Sequence, residues 1–474
     1  MLRPWDLQIN INLLDSKAVY LQIADAIIEA VKNRKLQPGD ALPGSRKLAG
    51  QLKVNRNTVV KALDILLAEG WLEAQERKGI FVAALKAHDP YQKRQIVLAS
   101  RSNKDQALTA KPDIVFDDGL PDSRLAPIKA LAMAYRQIFN RKARWQMMGY
   151  SHALGDLGFR NAVVKMLNHK RGMGIAAENL CLTRGSQMAL YLAVQCLLEK
   201  GDAIIIENPG YMPAWRAFEN AGAELLPVSV EADGINLHEI QAYLKSGKKI
   251  KALYTTPHHH FPTTVSLSLQ KRLELIQLSN TYGFTIIEDD YDHEFHFGAR
   301  PLLPIGSLAP VENYIYVGTF SKIVSPALRI GYLASGEHFI DKVAELRQII
   351  DVQGDNIMEQ AVLELINDGS IRKHLNKATQ TYHKKRDFFD QVIRQNLGDK
   401  VSYKRPEGGL AFWLMPRKKI DTYQLAEDLK KKNVQILTPD KFSFSDPIMG
   451  LRLGYASLSE EKLEEGIGAI ARLL

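Results

Sequence analysis

The 474-residue chain has little of what would staple a fold or seat it in a membrane. It has two cysteines, Cys181 and Cys196, too few for a disulfide framework, and both sit in apolar surroundings that read as reduced core. No uninterrupted apolar run approaches the roughly 18 residues that a membrane-crossing helix needs. The opening residues Met1-Leu2-Arg3-Pro4-Trp5-Asp6 lack a signal-peptide core, so a cytoplasmic protein with no membrane partner is expected. The run His258-His259-His260 has no cysteine beside it. Neighbours in an extended segment point to opposite faces, so no metal is expected there. What is present is ordinary for a globular protein: 46% hydrophobic and 24% charged residues. The length suits about two to four domains. A net charge of +9 favours a polyanionic partner.

The most informative stretch is Thr319-Phe320-Ser321-Lys322, followed seven residues later by Arg329. The preceding Asn313–Gly318 has the β-branched and aromatic character of a strand, which delivers the lysine into a turn. A free lysine, with a pKa of about 10.4, is a poor nucleophile at neutral pH. In a desolvated pocket beside another cation it loses its proton more easily and can form an imine with an aldehyde. Thr319, Ser321 and Arg329 can hold a phosphate, the arginine through a two-pronged contact. A lysine imine beside a phosphate clamp suggests pyridoxal 5'-phosphate.

Three upstream stretches fit the same group. Phe284–Glu288 runs as a buried-type strand into Asp289-Asp290-Tyr291, and the C-terminal ends of such strands carry ligand contacts. Asp289 can pair with a protonated pyridine nitrogen, and Tyr291 can bond the ring hydroxyl. Thr183-Arg184-Gly185-Ser186-Gln187 reads as a strand end, a turn and a helix start, where Gly185, Ser186 and Gln187 complete a phosphate cup. Tyr211, after Asn208-Pro209-Gly210, can stack on the ring.

Gly-Ser-Gln, Pro-Gly-Tyr, Asp-Asp-Tyr and Ser-Lys…Arg, in that order, resemble the fold-type I aminotransferases over residues 113–474. Strand-like and helix-like segments alternate from 113, giving an α/β fold with a mostly parallel sheet, and the resemblance adds a small C-terminal α/β domain. It also implies that Arg452, in Gly450-Leu451-Arg452-Leu453-Gly454, grips an effector carboxylate. At 256–264 the chain departs from the family, with His260 and Thr264 where related regulators show glutamine and glycine.

Ahead of this part, apolar residues recur at helical spacing over 20–33, and Ser45 stands as the N-cap of a short helix. A second helix is expected from about Asn57 to Glu69, then a hairpin around Arg77-Lys78-Gly79. Leu-Pro-x-Ser-Arg-x-Leu-Ala, Val-x-Arg-x-Thr-Val and Glu-Gly-Trp-Leu resemble the GntR-type winged helix-turn-helix over 12–84. In that frame Arg56, Asn57, Thr58 and Lys61 open the recognition helix on double-stranded DNA, while Arg46, Arg77 and Lys78 contact phosphate. Residues 85–112, polar and without periodicity, read as a linker. The whole chain resembles the MocR/GabR subfamily of GntR regulators. The resemblance implies a homodimer that holds pyridoxal phosphate on Lys322 and senses an amino compound or the cofactor itself. It implies residual transaminase half-reactions rather than sustained turnover; the alternative is a working aminotransferase.

Overall fold

A computed structural model describes residues 9–12, 15–76, 78–84, 112–140, 145, 148–298 and 302–474. The chain divides into two units, 1–109 and 110–474. The expected linker lies outside the described residues apart from 112.

In the first unit, α1 (Val19–Lys32) buries Ile23, Ala24, Ile27 and Ala30, one stripe at three- and four-residue spacing. Helix α2 (Ser45–Leu52) adds Leu48 and Ala49, and α3 (Arg56–Ala68) adds Val59, Ala62, Leu63 and Leu66. Strands β1 (Leu72–Gln75) and β2 (Gly79–Val82) pair antiparallel, with Leu72 opposite Val82 in the same core. Lys53 ends α2 in the left-handed conformation, φ 52°, which turns the chain towards α3.

The expected cap at Ser45 is corrected. Gly44 occupies the N-cap position, and Ser45 is the first helical residue, its Oγ receiving Arg56 Nε at 3.4 Å. The side-chain cap is at Asn55 instead, whose Oδ1 accepts the Asn57 N–H at 2.8 Å and starts α3. Arg46, Arg56, Asn57, Lys61 and Lys78 are exposed and Thr58 is half-buried. Lys61 Nζ stands 4.1 Å over the Tyr20 ring. Arg77 lies outside the described residues.

The second unit begins with β3 (Ile114–Val115), α4 (Ile128–Asn140) and α5 (Leu157–Arg171). Then follow β4 (Leu180–Thr183), α6 (Ser186–Leu197), β5 (Ala203–Asn208), α7 (Met212–Asn220), β6 (Glu224–Glu231), β7 (Gly234–Ile235) and α8 (Leu237–Lys245). After these come β8 (Ile250–Thr255), α9 (Leu269–Tyr282), β9 (Thr285–Asp290), β10 (Tyr314–Thr319) and β11 (Gly331–Ala334). Among the described residues, eight strands form one sheet in the order β4-β11-β10-β9-β8-β5-β6-β7. Strands β6, β5, β8, β9 and β10 run parallel. Strand β11 runs against both β10 and β4. The C-terminal ends of β4, β5, β8, β9 and β10 therefore share one edge of the sheet.

Alternation along these strands covers both faces. Ile204, Ile206, Tyr254 and Ile287 pack with α6 and α7, while Ala203, Ile205, Leu253 and Ile286 pack with α8 and α9. The chain continues through α10 (Glu337–Ile350), α11 (Asn356–Asn367) and the long α12 (Ser370–Leu397) into the small domain. There β12 (Val401–Ser402), β13 (Ala411–Pro416), α13 (Thr422–Lys430), β14 (Val434–Gln435), β15 (Leu451–Gly454) and α14 (Glu460–Ala471) follow. β13 pairs antiparallel with β12 and β15, and β14 pairs with β3. No described helix is long and apolar enough to cross a membrane.

Leu66 is fully buried in the core of the first unit. Leu66→Ala should cost about 2–5 kcal/mol there, the usual loss for a leucine core cavity. Hydrogen exchange of the α1–α3 amides measures it; unchanged protection would contradict this packing.

Candidate functional site

Strand β10 ends at Thr319, and Phe320 and Ile323, both fully buried, anchor the turn that presents Lys322 between them. Phe320 meets Phe159 with ring centroids 5.6 Å apart. Lys322 Nζ donates to the Gly119 carbonyl at 2.7 Å and lies 5.9 Å from the Tyr291 ring centre. Thr319 Oγ1 accepts from the Ser321 N–H at 3.1 Å. Arg329 Nη2 donates to the Arg184 carbonyl at 3.0 Å. A Cβ on Gly185, whose φ is +81°, would fall 2.5 Å from that nitrogen, so glycine is what lets the guanidinium reach the start of α6. Ser186, Tyr211, Asp289, Tyr291, Thr319, Ser321, Lys322 and Arg329 line one cavity of about 230 Å³.

Two expected residues lie at its margin. Gly185 acts through its lack of a side chain, and Gln187 turns its Nε2 away to the Pro213 carbonyl at 2.7 Å. Arg452 is buried at 2% exposure, so it is not a surface charge on the strand edge. Its Nε donates to the Asp118 carbonyl at 3.0 Å and its Nη1 to the Pro262 carbonyl at 2.8 Å; the guanidinium lies 4.6 Å over the Phe261 ring. Tyr211 meets Phe261 edge-on at 5.4 Å. The Tyr291 hydroxyl donates to the His259 carbonyl at 2.7 Å, and burial pushes its pKa well above the ordinary phenol range.

Asp289 closes the inner end. Tyr254 donates its hydroxyl to Asp289 Oδ2 at 3.0 Å, whereas Oδ1 is buried without a partner. Burial pushes this carboxyl up to about 7, with Asp290, Asp292 and Glu207 adding to the rise and the Tyr254 bond opposing it. Tyr254 is a site residue that reading the sequence missed. The signal was available in the alternation: Ile287 and Asp289 share a face of β9, and Tyr254 pairs with Ile287 across the strands.

Beneath lies a buried polar layer, also missed. Each histidine of the 258–260 run faces a different carboxylate: His258 Nδ1 to Asp290 at 3.0 Å, His259 Nδ1 to Asp292 at 2.8 Å, His260 Nε2 to Glu207 at 3.2 Å. Arg171 is ion-paired to Asp290, which also accepts from the Tyr316 hydroxyl at 2.6 Å. Burial would raise the Asp290 carboxyl, but Arg171, with His293 and His258, holds it well below the usual range. The ligand atoms of His258, Glu288 and Asp290 all lie within 4.8 Å of one another, a grouping a cation could use; here Arg171 brings the positive charge. Glu207 also accepts from Thr255 Oγ1 at 2.6 Å and the Thr256 N–H at 2.9 Å, which fixes the loop carrying Phe261 and Pro262.

Residues 119–470 match the aminotransferase class I and II family, and residues 19–82 match the bacterial regulatory proteins of the gntR family. The probable rhizopine catabolism regulatory protein MocR of Rhizobium meliloti is 27% identical over 449 residues, 92% of this chain and 89% of its own length. The chain belongs to the aminotransferase class I and II family, in the branch headed by a GntR domain, the MocR-type transcriptional regulators. The GntR head makes DNA its partner. Aromatic-amino-acid aminotransferase 1 of Thermococcus litoralis is 28% identical over 75% of this chain and 86% of its own length. The solved structure of LysN, an alpha-aminoadipate aminotransferase from Thermus thermophilus complexed with N-(5'-phosphopyridoxyl)-L-leucine, superposes with a TM-score of 0.70 at 28% identity. It covers 76% of this chain and 91% of that one. Proteins of this fold are typically pyridoxal phosphate-dependent.

The raised carboxyl of Asp289 gives a pH signature. In the unfolded chain it loses its proton near 3.8, in the folded one near 7. Between those values the folded state binds the extra proton, so stability contributed by this group falls as pH rises from about 4 to about 7. In cofactor-free protein, Asp289→Asn should remove that part of the fall. Urea midpoints over this pH range measure it; a wild-type slope in the variant would contradict it.

Proposed function

We propose that the chain is a DNA-binding transcriptional regulator that holds pyridoxal 5'-phosphate on Lys322 and responds to an amino compound, or to the cofactor itself. Residues 12–84 serve as the DNA-binding head, 85–112 as the linker and 113–474 as the effector domain, acting as a homodimer in the cytoplasm. The observation that carries the cofactor reading is the unpartnered Asp289 Oδ1, buried in the cavity that also holds Lys322 and Arg329. A buried carboxylate oxygen without a donor is costly unless a ligand supplies one. A protonated pyridine nitrogen is such a donor. The phosphopyridoxyl group in the solved LysN relative supports the same assignment.

When bound, the cofactor supplies an aldehyde that exchanges amines and a ring that withdraws electrons. Lys322 presents its amine to that aldehyde. Ser186, Thr319, Ser321 and Arg329, with the α6 N-terminus at Gly185 and Gln187, bind the phosphate. Asp289 keeps the ring nitrogen protonated, Tyr211 lies against the ring, and Tyr291, held by the His259 carbonyl, meets the ring hydroxyl. Arg452 takes the carboxylate of an amino effector. Such a ligand changes DNA affinity only by the difference in its affinity for two conformations of the dimer.

The apolar surface supports dimerisation. Ile128, Met133, Trp145, Met148 and Tyr150 are exposed, Tyr150 at 90%, and Ile349 beyond them at 83%. The two stretches are joined by the bond between Ser151 N and Gln353 Oε1. Large exposed apolar side chains are the material of which association surfaces are built.

Added pyridoxal phosphate should give wild-type protein a visible absorbance band that Lys322→Ala lacks; a colourless wild type would overturn the cofactor reading. Turnover of an amino donor with 2-oxoglutarate at roughly 1 per second or more would instead favour a working aminotransferase.

For the head, Arg46→Ala should weaken binding to all sequences and lower the salt slope by about one. Asn57→Ala should cost about 1–3 kcal/mol of discrimination at one base pair. Equal loss on specific and random DNA for both variants would contradict the division of roles.

A further inference from the structure

The segment Asp117-Asp118-Gly119-Leu120 forms a fixed part of the cavity wall, lining it through Asp118 and Leu120. Asp117 Oδ1 accepts from the N–H groups of Gly119 and Leu120, each at 2.8 Å, and its Oδ2 accepts from Ser457 Oγ at 2.7 Å. The Asp117 carbonyl accepts from Gly454 N at 3.0 Å. The next two carbonyls face the two groups that would hold an amino acid: Arg452 Nε sits on Asp118 O, and Lys322 Nζ on Gly119 O. Gly119 thus lies between the amine and the guanidinium, with Asp118 next to it on the guanidinium side. An α-amino acid with its nitrogen at Lys322 and its carboxylate on Arg452 carries its side chain from the carbon between them, along the stretch of wall that Asp118 and Leu120 line.

The Asp118 side chain lines the cavity, and among the described residues it makes no hydrogen bond or ion pair. Its charge does reach Tyr211, whose phenol is held above its ordinary range by burial, then by Asp289, then by Asp118. Under the reading above, the other charges on the cavity wall have partners: Arg329 the phosphate, Asp289 the ring nitrogen, Lys322 the aldehyde. Among the described residues of that wall, Asp118 is the negative charge left over. Leu120 and Phe261 supply an apolar wall beside it, suited to methylene groups.

We propose that Asp118 selects α-amino acids whose side chain ends in a second cation, the lysine and ornithine class, as effectors of this site. The inference rests on the cofactor and effector reading. An amino acid with a second carboxylate would meet Asp118 as a like charge and bind weakly.

The test titrates full-length, pyridoxal phosphate-loaded protein with L-lysine, L-ornithine, L-norleucine and L-2-aminoadipate, followed by the absorbance of the bound cofactor. Wild type should bind L-lysine and L-ornithine about ten- to a hundredfold more tightly than L-norleucine, the scale of a charge-assisted hydrogen bond. L-2-Aminoadipate should bind weakest. Asp118→Asn should bring the lysine-to-norleucine ratio close to one, and Asp118→Arg should turn the preference towards L-2-aminoadipate. A wild-type ratio within about twofold of one, or an Asp118→Asn variant that keeps the wild-type ratio, overturns the proposal. The spectrum before any amino acid is added separates the two failures: protein that takes up no cofactor overturns both readings, whereas a normal band without selectivity overturns this one alone.

Discussion

Asp289 is a carboxylate held at the end of a fully buried strand with one oxygen bonded to Tyr254 and the other facing a cavity without a partner. Leaving a buried acceptor bare destabilises a fold by about 1–3 kcal/mol, so the position makes physical sense when a ligand donor completes it. The remainder of the site is arranged around that end. Parallel strands bring β4, β5, β8, β9 and β10 to one edge, which places the start of α6, the loop after Thr255 and the turn at Lys322 within one cavity. The Gly119 carbonyl on Lys322 and the Arg184 carbonyl on Arg329 then set the direction of the two cations.

Below the cavity, each buried carboxylate meets a nitrogen-bearing side chain. Arg171 meets Asp290, and the three adjacent histidines meet Asp290, Asp292 and Glu207 on separate elements. Buried carboxylates persist only when a polar partner faces them, so these contacts tie the 256–264 loop to the ends of β5 and β9. That loop supplies the Pro262 carbonyl and the Phe261 ring against which Arg452 lies. The support for Arg452 and the inner wall of the cavity therefore rest on one set of buried contacts. In the first unit the same economy appears on a smaller scale: one core of α1, α2, α3 and the hairpin leaves Arg56, Asn57 and Lys61 exposed on the helix that starts at the Asn55 cap.

Much of this was legible in the sequence because it is local. Ser321-Lys322, Gly185-Ser186, Asp289 and Tyr291 sit at strand ends, and strand periodicity locates those ends. The alternating pattern likewise gave the two-faced sheet. What escaped was long-range or depended on one backbone torsion. Tyr254 and Asp289 are thirty-five positions apart, and Arg171 and Asp290 more than a hundred; nothing local couples them. The histidine run suggested opposite faces but not which acids would receive them. Ser45 satisfied a cap pattern, yet the chain enters the helix one residue earlier, and Asn55 takes the capping role through its own side chain. The direction of the Gln187 side chain, which donates to the Pro213 carbonyl, was likewise not readable from its place at a helix start.

The most direct test is a peptide map of full-length protein incubated with pyridoxal phosphate, reduced with borohydride, denatured and digested. One pyridoxyl group per chain is expected, located on Lys322 within the peptide that also contains Ser321. A chain that carries no label, or carries it on other lysines while Lys322 stays unmodified, would contradict it.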